Sequence, residues 1–158
     1  MRGGHLISNM KPWVASILAC ACCAASLPAS AALGGSVDSV KADESQMKAA
    51  RRVAGRAGYE VHEMTLPTGT VVREFVGNAG TVFAVAWQGP LQPDLNALLG
   101  AYFPRFVAAG QVAHGGHRRL EVRAADLVID SGGKMRAFAG RAYLPALVPA
   151  NVAIEEIR

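Results

Sequence analysis

The residues best placed to do chemistry are His114 and His117, which flank Gly115-Gly116. Two imidazoles three positions apart on a glycine loop can converge on one metal ion, which would polarise a substrate or activate a water. A third ligand would have to come from His62, Glu60, Glu63 or Asp126. The plainer reading is a solvated polar loop. His62 stands between Val61 and Glu63. With Glu60 or Glu63 to orient it, the imidazole is a candidate general base; as a packing residue of a half-buried strand it needs no such role. The serines beyond the N-terminal leader are Ser36, Ser39, Ser45 and Ser131, and none lies in G-x-S-x-G. Asp126 and Asp130 flank a short apolar run. In a strand they would share a face but sit about 13 Å apart. That is too far for a carboxylate dyad, and Asp130 reads more simply as a turn residue before Ser131-Gly132-Gly133. The glycines fit turns, and none forms a phosphate-binding loop between strand and helix.

A second kind of chemistry is electrostatic. Arg73 and Glu74 interrupt an otherwise apolar strand. If the sheet has an open face, Arg73 with Arg119 and Arg123, joined by Arg136 or Arg141, would form a basic strip on it. Such a strip would hold an anionic envelope component, a polysaccharide or a lipid head group. Against this stands the fact that outward charge is what any exposed sheet face carries.

The elements that must position these residues are legible from turns and periodicity. Tyr59 to Pro90 reads as three consecutive strands. Leu66-Pro67-Thr68-Gly69 and Gly77-Asn78-Ala79-Gly80 are the turns between them. Thr81-Val82-Phe83-Ala84-Val85-Ala86-Trp87 is apolar on both faces, as in a central strand covered on both sides. Its small face, Ala84 and Ala86, is expected to lie under a helix, with Phe83, Val85 and Trp87 on the opposite layer. That helix begins near Pro93, with Asp94 in its first turn, and carries Leu95, Leu98, Leu99, Tyr102 and Phe106 at helical spacing. Pro104 is expected to kink or end it. Before the strands, Ser36 to Val53 reads as a helix capped by Ser36 and ended by Gly55 and Gly58, although its apolar stripe is thin. After them, His117 to Ala124 alternates as a half-exposed strand. Leu127 to Asp130 and Met135 to Tyr143 are further strands, and Val152 to Ile157 is a candidate edge strand. The order is α-β-β-β-α-β-β-β, with antiparallel connections. This is an α+β domain: an antiparallel meander sheet packed on one face by an amphipathic helix.

The first 31 residues read as a signal peptide and residues 32–158 as a single α+β domain. Arg2 and Lys11 make the start basic, Trp13 to Leu27 is apolar, and Ala29-Ser30-Ala31 is a small-x-small cleavage site. The apolar run is too short and alanine-rich to span a bilayer well, so no transmembrane helix is expected in the mature chain. The alternative is a lipoprotein: Ile17-Leu18-Ala19-Cys20 loosely matches a lipobox, which would anchor the chain at Cys20. All three cysteines, Cys20, Cys22 and Cys23, fall in the leader, so the mature chain has no thiol for a disulfide or a metal. Without Arg2 and Lys11, the 16 Lys/Arg fall to 14 against 12 Asp/Glu. That small excess is no nucleic-acid signature.

Several stretches together resemble a known family. They are Ala32-Leu33-Gly34-Gly35, Leu66-Pro67-Thr68-Gly69-Thr70-Val71-Val72-Arg73-Glu74-Phe75, Val82-Phe83-Ala84-Val85-Ala86-Trp87-Gln88-Gly89-Pro90, and Gly140-Arg141-Ala142-Tyr143-Leu144-Pro145. With Pro93-Asp94-Leu95, Leu98 to Phe103 and Ser131 to Arg136, they resemble the proteobacterial family catalogued as domain of unknown function twenty-eight forty-four. The resemblance covers essentially the whole mature chain. It implies a small exported protein of one domain and carries no activity, ligand or catalytic residue.

The sequence thus leads to a small exported, non-catalytic binding or accessory protein of the bacterial envelope, periplasmic or secreted. No cofactor and no nucleic acid are expected; the partner is an envelope component or another protein. The alternative is a metal-dependent hydrolase using His114 and His117.

Overall fold

The computed structural model describes residues 33–112 and 119–158. The chain runs through α1 (Val37–Met47), β1 (Ala50–Arg56), β2 (Tyr59–Thr65), β3 (Val71–Gly77) and β4 (Val82–Gly89). It continues through α2 (Leu95–Leu99), α3 (Phe103–Val112), β5 (Arg119–Arg123), β6 (Val128–Lys134) and β7 (Ala137–Tyr143). All strands join one antiparallel seven-stranded sheet in the order β1-β2-β3-β4-β7-β6-β5. This is the expected antiparallel α+β sheet with its helices on one face; a crossover through α2 and α3 carries the chain from β4 to β5 at the far edge, and one strand more than expected lies at the N-terminal edge.

That strand, β1, occupies the second half of the helix expected over Ser36 to Val53. The helix stops at Met47, where Lys48 takes a left-handed φ of 50° and its N–H returns to Glu44 and Ser45. From Ala50 to Arg56 every residue pairs with β2. The ladder to an established strand outweighs the modest helix propensity of a segment with a thin apolar stripe. Ser36 stands at the N-cap but its side chain makes no capping bond. Its backbone instead bridges Thr81, and the Val37 N–H donates to Gly80 O at 2.8 Å.

The Leu66–Gly69 and Gly77–Gly80 turns form as expected, with Gly69 and Gly80 at φ 81° and 73°. Ser131-Gly132-Gly133 is not a turn. These residues lie inside β6, and the hairpin closes two residues later at Met135-Arg136, with Arg136 at φ 63°. The helix after β4 does not end at Pro104. It breaks at Gly100, whose φ is 49°, and resumes as α3 with Pro104 in the first turn, where a missing N–H costs nothing. Asp94 caps α2, accepting from the Asn96 and Ala97 N–H groups at 3.0 and 3.1 Å.

Two cores lie on the two faces of the sheet. On the helix face, Met64, Val72, Val85, Trp87 and Ile129 pack with Val40 of α1 and Leu98 and Leu99 of α2. On the far face, Tyr59, Phe75, Phe83, Ala84 and Ala86 pack against Val152 and Ile157 of the C-terminal segment. The expected facing of β4 is therefore reversed: Val85 and Trp87 look to the helices, and Ala84 and Ala86 look away. A bulge also separates Phe83 from Val85 and Trp87. Register shifts between Phe75 and Val76, so that Val76 pairs with Val82 and Phe75 with Ala84, and Phe83 falls between. Phe83 and Ala84 then share the far face, and simple alternation counted from Phe83 runs out of phase. The expected edge strand over Val152 to Ile157 is a coil with a 3-10 turn at Ile154–Glu156, laid across the alanines.

Candidate functional site

The far face is where charge collects. Cross-strand register aligns Arg52, Glu63, Arg73 and Ala86 across β1 to β4, and carries the line on through Arg141, Asp130 and Glu121 of β7, β6 and β5. Arg52, Glu63 and Arg73 alternate in sign, as do Arg141 and Asp130; Ala86 separates the two groups, and Glu121 stands directly opposite the like-charged Asp130. Glu63 accepts from Arg52 at 3.0 Å and from Arg73 at 2.9 Å. Both arginines hold its carboxyl below the usual range, the Arg73 hydrogen bond most of all. Asp130 likewise accepts from Arg123 at 2.6 Å and Arg141 at 3.0 Å. Each carboxylate is thus shared by two guanidinium groups.

The same arginines hold the C-terminal segment. Arg73 Nη1 donates to Arg158 O at 2.9 Å, and Arg141 Nη1 donates to Ile154 O at 2.8 Å. Tyr59 adds a third tie, its hydroxyl donating to Glu156 Oε2 at 2.7 Å. That hydrogen bond, with burial, raises the phenol above its ordinary value. Asn151 Nδ2 donates to Ala57 O at 2.6 Å.

The segment leaves a groove on each side. The larger, about 840 Å³, runs over β1 to β3 and is bordered by Arg52, Arg56, Arg73 and Arg158 with Glu63 and Glu156; Val61 and Phe75 are among the residues beneath. The smaller, about 430 Å³, runs over β4, β7 and β6, where Arg119, Arg141 and Arg158 stand against Asp130. Gln88 and Arg158 border both, so the grooves meet there. Arginines outnumber carboxylates in each. Arg56 and Arg158 differ from the rest: among the described residues neither side chain has a carboxylate partner.

The residues singled out in the sequence fall as follows. Arg73, Arg119 and Arg123 share the far face, Arg73 in the larger groove, Arg119 in the smaller, and Arg123 bordering neither. Arg119 also pairs with Glu121. His114 and His117 lie outside the described residues. His62 is buried on the helix face, with Nδ1 3.1 Å from Arg51 Nη1 and Nε2 3.3 Å from Glu60. Burial lowers its pKa more strongly than Glu60 raises it. Glu63 points to the other face, so of the two proposed orienters only Glu60 reaches His62. Neither groove is bordered by His62, which leaves it without access to a substrate there. Asp126 pairs with Arg105 at 2.7 Å and is held below the usual range by it. Among the described residues no cluster of three metal-binding side chains occurs. Among the described residues two Ser-x-x-Lys spacings exist, Ser45 to Lys48 and Ser131 to Lys134. In neither does a hydrogen bond join the two side chains, and Ser45 Oγ donates to Lys41 O instead.

Sequence reasoning missed one feature altogether. Asp43 of α1 and Glu74 of β3 are both fully buried on the helix face. Burial first, and the Asp43 carboxyl beside it second, push Glu74 up to about 9. The signal available was Glu74 within an apolar strand, but an acid partner 31 positions away on a helix has no local signature. This pair borders neither groove.

No helix among the described residues is long and apolar enough to cross a membrane. No curated protein and no solved structure matches the chain. A family model described as "Protein of unknown function (DUF2844)" matches residues 29–157. The match extends over nearly the whole chain, including α1, every strand and the C-terminal segment that shapes the grooves, and the chain therefore belongs to that family.

Proposed function

We propose that this is an exported, non-catalytic binding or accessory protein of the bacterial envelope, and that its ligand is an anion held in the larger far-face groove. The observation that carries this reading is the pair Arg56 and Arg158. Both border the groove, and neither is neutralised by a carboxylate among the described residues. A guanidinium offers five N–H donors in a planar fork that suits carboxylate and phosphate. Arg52 and Arg73 share one carboxylate between them, so the border stays positive. Export rests on the basic, apolar and small-residue order of the first 31 residues.

The test is titration of the purified protein with small and polymeric anions at low and moderate salt, followed by calorimetry and by amide chemical shifts. Binding that weakens with salt and shifts Tyr59, Val61 and Arg73 is the expected result. Arg56→Gln should weaken it about tenfold, the loss of one charge-assisted contact of about 1.5–3 kcal/mol in part regained from solvent. Turnover of an envelope substrate, lost on a single substitution, would overturn the non-catalytic reading.

A further inference from the structure

We propose that the ligand of the far face is an unbranched polyanionic polysaccharide, lying across the strands and engaging both grooves at once. This rests on the reading of the larger groove as an anion site and goes beyond it in naming the class of ligand.

The argument begins with the spacing of the cations. Along the aligned row, Arg52, Arg73 and Arg141 stand on β1, β3 and β7, at every second strand. Adjacent strands are about 4.8 Å apart, so these guanidinium groups recur at about 10 Å. A repeat of that length suits a chain with one acidic sugar in each disaccharide. A compact ligand would meet only one of them. Glu63 and Asp130 fill the alternate strands, but each is already shared by two arginines. They orient the guanidinium groups; with Glu121 at its end the row balances in charge, and the positive excess of the grooves comes from Arg56, Arg119 and Arg158 beside it.

The grooves supply the path. They meet at Gln88 and Arg158, and together they run from β1 toward β5, a span of about 29 Å across six strand intervals. Arg119 lies near the far end and Arg56 at the near end. Beyond Gln88, the smaller groove is bordered by Gly132, Gly133, Ala137 and Ala139, which leave room for a sugar ring, while Gln88 can bond hydroxyls.

Other polyanions fit less well. A flat bilayer reaches protruding groups, whereas these cations border concave surfaces beside the C-terminal segment. Single-stranded nucleic acid needs exposed aromatic platforms for its bases. The rings beneath the larger groove, Tyr59 and Phe75, are both buried.

The experiment measures affinity of the full chain for hyaluronan oligosaccharides of two to ten sugars, which carry one acidic sugar in each disaccharide. Phosphatidylglycerol vesicles and inorganic phosphate serve as separate arms. Affinity should rise at least tenfold from the shortest oligomer and level off once the chain spans both grooves. Arg56→Gln and Arg119→Gln should each weaken the longest oligomer at least fivefold, and only Arg56→Gln should weaken the dimer. Both residues are free of the C-terminal ties, so the variants should unfold as the parent does. If affinity is independent of length, or Arg119→Gln leaves the longest oligomer unchanged, the spanning polysaccharide is wrong while the anion site stands. If vesicles or phosphate bind and no oligomer does, the ligand class is wrong. If no anion binds, the underlying reading falls with it.

Discussion

Glu74 shows how much one side chain can decide about solution behaviour. It is fully buried, sits against Asp43, and no donor reaches either of its oxygens. The proton it retains up to about pH 9 supplies the missing donor. Its folded-state pKa lies above the ordinary value of 4.5. Its favourable contribution is therefore fully present below about pH 4.5 and is lost as pH rises through about 9. In that window the wild type should lose up to about 1.4 kcal/mol of stability per pH unit from this group. His62 works the other way: its depressed pKa gives stability above the ordinary value of 6.5 that is lost as pH falls. Glu74→Gln keeps the shape, keeps a donor toward Asp43 and cannot ionise. The difference in stability between the variant and the wild type should therefore grow in the variant's favour from pH 5 to pH 9, measured by denaturant midpoints at each pH. Parallel profiles would show that Glu74 does not hold its proton. Gly140 is decided at the same scale. A Cβ there would run into the Trp87 indole and come within 2.8 Å of Asp130 O. Gly140→Ala should cost about 1–3 kcal/mol, as overpacking does, and a neutral result would mean that Trp87 does not lie over β7.

Strand β4 shows what element-level reasoning can and cannot reach. Its position at the centre of the sheet was legible, because both its faces are apolar. Which face met the helices was not. The bulge beside Phe75 puts Phe83 and Ala84 on the same side, and nothing in the local sequence marks that irregularity. The same limit applies to β1, whose pairing with β2 overrides a helical pattern, and to the β6–β7 hairpin, where two consecutive glycines serve the strand and not the turn. Cross-strand pairing is a non-local contact, so it is invisible to periodicity. A substitution on β4 tests the facing. Ala86→Leu should crowd the C-terminal segment, not α2, at a cost of about 1–3 kcal/mol. Hydrogen exchange should then speed up at Val152 and Ile157 while Leu98 and Leu99 keep their protection. Faster exchange in α2 with an undisturbed C-terminal segment would restore the opposite facing. Phe83→Ala, which empties a ring packed against Tyr59 and Phe75, should be costlier, about 3–5 kcal/mol.

At the scale of the whole molecule, the candidate site is a product of chain topology. The arginines were legible as an outward-facing set, and the structure does place Arg73, Arg119 and Arg123 on one face. The grooves between them were not, because they exist only where residues 152–158 cross a sheet assembled from strands up to about a hundred positions earlier. The same topology bears on the proposed export. The described residues are tied in from their start: Leu33 is buried, its N–H donates to Leu98 O at 3.0 Å, and the Gly34 N–H donates to Val82 O at 2.8 Å. Cleavage after Ala31 would therefore leave one residue ahead of a docked side chain. The exported form should have an intact mass beginning at Ala32, and Cys20→Ser should leave its localisation unchanged; a diacylated Cys20 would establish the lipoprotein instead. The anchor itself can be measured. Removing residues 32–35 takes away a buried leucine, worth about 1.5–3 kcal/mol, together with three backbone hydrogen bonds, the third from the Val82 N–H to Gly35 O, of about 1 kcal/mol each. A chain starting at Ser36 should unfold at a correspondingly lower denaturant concentration with an unchanged slope, since the surface exposed on unfolding hardly differs. Equal midpoints for the two chains would mean that residues 32–35 are not part of the fold, and that the cleavage point is not set by where the core begins.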